Sequence, residues 1–255
     1  MIAIFKREFA SYFKSPVGYV AIAIFSFLSG LMFYSQFVTG SVDIGYEVMS
    51  LRSFFIIIVP IITMGLLSED KKRGTDILYY TTPVDLFSVV GAKLLASFSL
   101  LAIMFINVFI HIIVVKICGG VVSVGCIGNI VIYFFMGFMF IAIGLFTSAI
   151  TDNQIISAIV SFIIILFSEM ISQIGTYIGS AVNVIFSAMG ATTLKASNAG
   201  YTVANAISWF DPFIKTEDFS IGIFSVSALI YVFSIGIVFL YLTYRVLEKK
   251  RWSQA

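Results

Sequence analysis

The sequence predicts an all-α integral membrane protein with six transmembrane helices, and three observations support this fold class. Apolar and aromatic residues make up 60% of the 255 residues and charged residues only 11%, whereas soluble domains carry about 25% charged residues. The mean hydropathy is +1.07. The apolar residues are concentrated in runs with almost no charge, five of which have 20 to 24 residues, long enough to cross a bilayer as a helix.

Six runs of apolar residues are interpreted as transmembrane spans. The second span contains an uncharged run of only 14 residues, so we extend it back to residue 49 and expect Arg52 to reach toward the membrane interface. The predicted transmembrane helices are 17–38, 49–67, 94–115, 130–150, 155–174 and 221–244. Residues 1–255 are therefore interpreted as one transmembrane domain in a lipid bilayer.

Positive charges predict the orientation of these spans. With six spans both termini lie on one side, and that side collects 11 of the 15 lysines and arginines. Lysine and arginine accumulate on the cytoplasmic side of membrane proteins. We therefore expect a multi-pass protein of the cell membrane with cytoplasmic N- and C-termini. The expected membrane is the plasma membrane of a bacterium.

The N-terminal segment 1–16 is amphipathic. Ile2, Phe5, Phe9 and Phe13 recur at helical spacing among basic residues, a pattern typical of a helix lying in the membrane interface, which Pro16 is expected to end. The alternative is a basic flank that only sets the topology.

Residues 176–210 carry a single charge, Lys195, and are rich in small residues. One interpretation is a seventh span. The other, favoured by the charge distribution, is a pair of short re-entrant helices on the outer side, 176–194 and 196–210, with Lys195 at their break.

The loop at residues 69–85 contains the signals of a short, separate helix. Gly74 interrupts the charged turn before it, Thr75 can cap a new helix, and Asp76 suits the first turn. The four residues from Ile77 to Tyr80 would give this helix a bulky apolar surface before Pro83 ends it. Such a surface indicates either a docking element for another protein or a helix that packs on lipid.

The sequence around this loop resembles that of the type-2 ABC exporter permeases, and most closely the gliding-motility type within that class. The resemblance rests on Pro60-Ile61-Ile62-Thr63-Met64, Glu69-Asp70-Lys71-Lys72-Arg73-Gly74-Thr75, Thr81-Thr82-Pro83-Val84, Gly91-Ala92-Lys93 and the block from Gly144 to Gln154. It extends over almost the whole chain, although each motif alone is loose.

The resemblance implies that the loop after the second span is a coupling helix seated in a cleft of a separate ATPase subunit. The implied docking residues are Glu69, Lys72, Arg73, Gly74, Thr75, Asp76, Ile77, Leu78 and Pro83. The family usually has a glutamate where this chain has Ile77, and Asp76 precedes that position by one residue, about 100° around a helix.

No enzyme site is predicted in this chain. The sequence has no GxxxxGK[ST] phosphate loop, so ATP and Mg would bind to the partner ATPase. No cofactor, metal or catalytic residues are predicted, and no nucleic-acid partner. Cys118 and Cys126 flank a glycine-rich turn and either form a disulfide on the outer side or stay as free thiols.

Among the polar residues within the predicted spans, three are candidates for a functional site: Asn107 and His111, four residues apart, and Glu169. Polar groups in the membrane either mark a substrate path or join helices. His111 and Glu169 together would suit a different function, an ion-coupled carrier or channel.

The leading hypothesis is the permease subunit of an ATP-driven exporter. Two copies of the chain, or one copy and a similar permease, would form the pathway above two ABC ATPase subunits. The sequence does not identify the exported substrate, because apolar walls suit lipids, peptides and drug-like molecules alike.

Overall fold

A computed structural model describes residues 1–40, 42–81 and 84–254, with only the backbone described at residues 253 and 254. The described residues form helices connected by short turns and contain no strand. The helices are α1 (Ile2–Lys14), α2 (Pro16–Thr39), α3 (Ile44–Leu51), α4 (Phe55–Thr63), α5 (Ser68–Arg73), α6 (Ile77–Thr81), α7 (Leu86–Ile117), α8 (Val124–Ile150), α9 (Gln154–Ala188), α10 (Thr193–Ser208), α11 (Pro212–Lys215) and α12 (Val226–Gln254).

Six helical segments are long and apolar enough to cross a membrane, which confirms the predicted number among the described residues. They are Pro16–Thr39, Ile44–Arg73, Leu86–Ile117, Val124–Ile150, Gln154–Ala188 and Val226–Trp252. The chain is therefore a multi-pass, all-α membrane protein. Six spans place α1, α5, α6 and the C-terminal end on one side, called here the termini side, and the turns after α2 and α7 on the opposite side.

The fourth span, α8, is the centre of the bundle. Its apolar window is 72% buried, compared with 17% for α9 and 22% for α2 and α12. Glycines let neighbouring helices approach it: a Cβ at Gly144 would overlap the side chain of Thr63, and one at Gly137 would overlap Leu101. The outer helices therefore present most of their apolar surface away from the protein, as lipid-facing helices do.

The second span is longer and less regular than predicted. It starts at Ile44, five residues before the predicted residue 49, and therefore includes Glu47, which is fully buried. Pro60 lies inside α4, and the helix is interrupted between Thr63 and Ser68 before α5 continues it. The missing proline N–H and this interruption leave backbone groups that other helices must satisfy.

The third span also starts earlier than the predicted residue 94, because α7 begins at Leu86 and includes Lys93. A lysine ends an uncharged run in the sequence. In the structure, however, Lys93 is fully buried and paired with carboxylates of other helices. The sixth span starts later than residue 221, because a 3₁₀ turn (Glu217–Ile221) ends at Gly222, which has a φ of 84°.

The prediction of two short helices divided at Lys195 is wrong in its boundaries. The fifth span does not end near residue 174, because α9 continues without a break to Ala188. Lys195 lies in the first turn of α10, after a turn that contains Gly190 with a φ of 82°. The small residues that suggested a break instead allow α10 to pack closely along the end of α9.

The closest backbone approach of this hairpin is between Gly179 and Gly200. A Cβ at Gly179 would lie 2.5 Å from the carbonyl oxygen of Gly200 and 2.8 Å from Cβ of Ala204. Because a backbone oxygen cannot rotate away, even one added methyl group must push the two helices apart.

We therefore expect Gly179→Ala to lower stability by about 1–3 kcal/mol, measured by thermal unfolding of the purified chain in detergent. Gly30→Ala is the matched control, since a Cβ there has no atom within 4 Å among the described residues. Equal midpoints for the two variants would contradict the close helix contact.

Candidate functional site

The loop between the second and third spans folds as two short helices, α5 and α6. Acidic residues begin α5 and basic residues end it, in agreement with the helix dipole. Gly74 ends α5 with a φ of 68°, and its N–H donates to the carbonyl oxygens of Asp70 and Lys71. This left-handed conformation favours glycine, so Gly74 reverses the chain and directs α6 back beside α5.

A buried ion cluster holds this loop against the membrane helices. Lys93 of α7 is fully buried, and its Nζ lies 2.6 Å from Oδ2 of Asp70 and 3.0 Å from Oε1 of Glu8. It also donates to the carbonyl oxygen of Leu66, next to the interruption of the second span. A buried ammonium group is tolerated only when it is paired and hydrogen-bonded. Lys93 therefore joins α1, α5 and the second span at one point.

Arg7 and Tyr79 extend the cluster to α6. Arg7 lies 2.6 Å from Glu8 and donates to the hydroxyl oxygen of Tyr79 at 2.7 Å. The Tyr79 hydroxyl in turn donates to Asp70 at 2.7 Å. Burial, and then the negative charge of Asp70, raise the pKa of Tyr79 above its ordinary value, so the phenol keeps the proton that it donates. Two basic and two acidic side chains thus form an overall neutral network with this phenol.

A second anchor connects the loop to the turn between α8 and α9. Lys71 donates to the carbonyl oxygens of Ala149 and Thr151 and lies 3.5 Å from Asp152. Asp152 is also 3.7 Å from Lys250 of α12. The loop therefore contacts the ends of three spans besides the two that it connects.

Ser148 of α8 satisfies the backbone where the second span is interrupted. Its hydroxyl oxygen accepts from the backbone N–H groups of Leu67 at 2.9 Å and Ser68 at 3.0 Å, and its O–H donates to the carbonyl oxygen of Met64 at 3.1 Å. Ser148 lies in the block from Gly144 to Gln154 noted in the sequence, and it holds the end of the second span on the termini side in place.

The apolar surface of α6 is smaller than predicted. Ile77 and Leu78 are 51% and 56% exposed, whereas Tyr79 and Tyr80 are buried. The prediction that all four residues form an exposed surface is wrong, because four consecutive residues point around an entire helical turn and the Tyr79 hydroxyl is required by Asp70. Ile77 and Leu78 are called the α6 tip below.

Thr75 does not cap α6 as expected. Its hydroxyl donates back to Oδ1 of Asp70 at 3.0 Å, so it closes the turn onto α5, and α6 begins at Ile77, after Asp76. Among the other predicted docking residues, Glu69 forms an ion pair with Arg73, Lys72 is exposed and Asp76 is half-buried. Pro83 lies outside the described residues.

An open cavity of about 390 Å³ lies beside the loop, between α1 and α5. Its lining includes Arg7, Lys14, Glu69, Arg73 and Thr75. The predicted docking residues Glu69, Arg73 and Thr75 therefore line one side of this depression and α1 lines the other, with the exposed α6 tip on the same loop as the docking residues.

The polar residues of the spans do not meet as the sequence suggested. His111 does not pair with Glu169: its Nδ1 lies 2.8 Å from Oε1 of Glu47. Glu169 instead faces Ser53 and Arg52 and lines a separate cavity of about 270 Å³. The earlier start of the second span is the reason, because it places Glu47 inside the bundle. Asn107 lies one helical turn before His111 on α7, and its buried amide nitrogen has no partner among the described residues.

Several residues of these networks were missed in the sequence. Glu8, Asp70 and Lys93 each lie in motifs that drew attention, but an isolated charge next to an apolar run is usually a solvated flank. The sequence offered one usable signal: Lys93 directly precedes the long apolar run of the third span. A lysine that enters the membrane with such a run needs acidic partners.

No protein-family model matches this chain, and no curated protein matches it.

Cys118 and Cys126 carry free thiols, the first exposed and the second buried. Within residues 1–40, 42–81 and 84–254, no group of three or more histidine, cysteine or acidic side chains could hold a metal ion.

We expect Lys93→Met to destabilise the protein by about 3–5 kcal/mol, because the change preserves volume but removes the buried cation and leaves Glu8 and Asp70 with only the half-exposed Arg7 as a partner of opposite charge. Thermal unfolding in detergent measures the loss, and hydrogen exchange should show it first in α1, whose attachment depends on Glu8. Lys72→Met, on an exposed lysine of the same loop, should have little effect. A stable Lys93→Met variant with a protected α1 would contradict the role of the cluster.

Proposed function

We propose that this chain is the transmembrane permease subunit of an ATP-driven ABC exporter, coupled to a separate ATPase subunit through the loop of α5 and α6. The observation that carries this proposal is that the α6 tip is exposed and apolar while α5, in the same loop, is attached to the membrane helices by ion pairs. Ile77 and Leu78 are about half exposed, while the same short loop is held by two sets of ion pairs.

The anchoring favours force transmission over simple packing on lipid. A helix that only covers lipid needs no polar attachment to four other elements. Here Asp70 connects to α7 and α1, and Lys71 connects to the α8–α9 turn and, through Asp152, to α12. A displacement of the α6 tip by a partner would therefore be carried into several spans at once, since close-packed elements move as units.

The surface beside the tip suits a protein partner with mixed charge. Arg7, Lys14 and Arg73 line the cavity together with Glu69, and Lys72 is exposed next to it. A partner would cover the apolar tip and pair with these charges around it, the usual arrangement of an interface with an apolar core and polar rim. ATP and Mg would be bound by that partner, because this chain has no phosphate loop.

The complete exporter in this proposal contains two ATPase subunits and a second permease, either another copy of this chain or a similar one. The termini side is cytoplasmic, in accordance with the distribution of lysine and arginine. The alternative, an ion-coupled carrier that uses His111 with Glu169, is less well supported because the two side chains contact different partners.

To test the coupling, we expect Ile77→Glu to reduce ATP hydrolysis stimulated by this chain at least about tenfold, a loss of about 1.4 kcal/mol of interaction. A buried negative charge at an apolar contact disfavours docking. The assay measures ATP hydrolysis in nanodiscs that contain the chain and the ABC ATPase subunit that copurifies with it.

The matched control is Ile221→Glu, since Ile221 is 72% exposed but lies at the end of the 3₁₀ turn on the opposite side of the protein. It should leave the stimulation unchanged. If both variants stimulate hydrolysis like the original chain while folding normally, the α6 tip is not the docking element.

The two cysteines provide a test of orientation. With cytoplasmic termini, a membrane-impermeant maleimide added to intact cells should label Cys118, which is exposed at the end of α7, and spare Cys126, which is buried. Labelling of Cys118 only after the membrane has been opened would reverse the proposed orientation.

A further inference from the structure

The buried pair of Glu47 and His111 lies at the opposite end of the membrane domain from the loop of α5 and α6. Lys93 lies near the start of α7, whereas His111 is six residues from its end at Ile117, about 9 Å along the helix axis. An inference about this pair therefore does not depend on the exporter proposal. It shares with that proposal only the orientation in the membrane, which the labelling of Cys118 tests separately.

Only one of the two carboxylate oxygens of Glu47 has hydrogen-bond partners among the described residues. Oε1 accepts from the Ser29 hydroxyl at 2.5 Å and contacts Nδ1 of His111 at 2.8 Å. Oε2 is buried and has no hydrogen-bond partner among the described side chains and backbone groups. Since Glu47 is fully buried, an ionised carboxylate with one unsatisfied oxygen is costly in this position. A proton bound to the pair removes its net charge.

The pair also holds the outer part of α2. The buried residues of α2 are Gly18, Ala21, Phe25 and Ser29, and none of residues 30–39, all of which the structure describes, is buried. Beyond Ser29, the ring of Phe33 stacks on His111 with ring centres 4.2 Å apart. Ser29 and Phe33 thus attach the end of α2 to Glu47 and His111.

A cavity lies beyond this pair, toward the end of the bundle opposite the termini, and neither Glu47 nor His111 is among the residues that line it. It has a volume of about 570 Å³ and is lined by Phe37, Asp43 and Val115, together with neighbouring turn residues. Each of these three residues lies four positions from a member of the site: Phe37 from Phe33, Asp43 from Glu47, and Val115 from His111. The cavity is therefore one helical turn from the pair on all three helices.

Few other ionisable groups face the pair. On α3 the nearest is Asp43, and on α8 it is the thiol of Cys126, which lies within electrostatic range of both Asp43 and Glu47. On α7, Lys116 is exposed at the helix end, and α2 has no charged residue between Pro16 and Thr39.

We propose that Glu47 and His111 form a proton-binding site that is filled through this cavity from the side opposite the termini, which is the outer side in the orientation proposed above. Occupancy of the site changes the charge of the pair by one and thereby sets how firmly the end of α2 is held. A protein in this arrangement senses the acidity of the outer solution.

The composition of the chain makes the site directly observable, because His111 is its only histidine. The full chain, purified with a histidine-free tag and labelled with ¹³C and ¹⁵N in histidine, gives a single imidazole signal. It is reconstituted in vesicles with Cys118 outward, and the external pH is changed between about 8 and 5, the range in which histidine ordinarily changes charge, while the lumen stays buffered.

The imidazole signal is expected to follow the external pH and not the internal pH. In Glu47→Gln, which keeps an oxygen for Ser29 and His111 but cannot carry a charge, the response of the signal to external pH should differ from that of the original chain. Glu169→Gln is the matched control on the other span carboxylate and should coincide with the original chain. Hydrogen exchange of residues 30–39 should depend on pH more steeply in the original chain than in Glu47→Gln.

Three results would overturn the proposal: a signal that does not move with pH, a signal that follows only the lumen, or identical titrations of the original chain and Glu47→Gln. The comparison of external with internal pH requires no substitution. It therefore decides the question by itself if Glu47→Gln fails to fold.

Discussion

The arrangement of the termini side depends on one interaction, the burial of Lys93 between Glu8 and Asp70. A lysine without accessible surface is stable in a membrane domain only if its partners are held in place, and here the partners come from α1 and α5. The same ammonium group donates to Leu66 where the second span is interrupted. The position of α1, the path of the loop and the end of the second span are therefore set together.

The two ends of the bundle use the same chemistry for different purposes. On the termini side, opposite charges are matched, and the cluster is satisfied as it stands. At the other end, Glu47 shares one oxygen between Ser29 and His111 and leaves the other without a partner among the described residues. The satisfied network gives the α6 tip a firmly attached base, whereas the pair at the other end keeps one carboxylate oxygen without a hydrogen bond among the described residues.

The sequence predicted the number of spans and the approximate helix positions because lipid imposes a length and a hydrophobicity on each span. It failed where a polar residue entered the bundle, since pairing partners distant in the chain cannot be read from local patterns. For this reason the predicted second and third spans start after Glu47 and Lys93, and Glu169 was the only partner considered for His111. The α6 tip was half predicted: Ile77 and Leu78 are exposed, but Tyr79 and Tyr80 are buried.

The interruption of the second span also has a consequence for biosynthesis. The backbone between Met64 and Ser68 is satisfied by Lys93, 27 residues later than Leu66, and by Ser148, 81 residues later than Leu67. When the ribosome has delivered the second span, neither group has yet entered the membrane. The backbone at the end of the second span therefore lacks these hydrogen bonds until the third and fourth spans have been inserted. The first half of the chain can reach its native structure only after part of the second half has been synthesised.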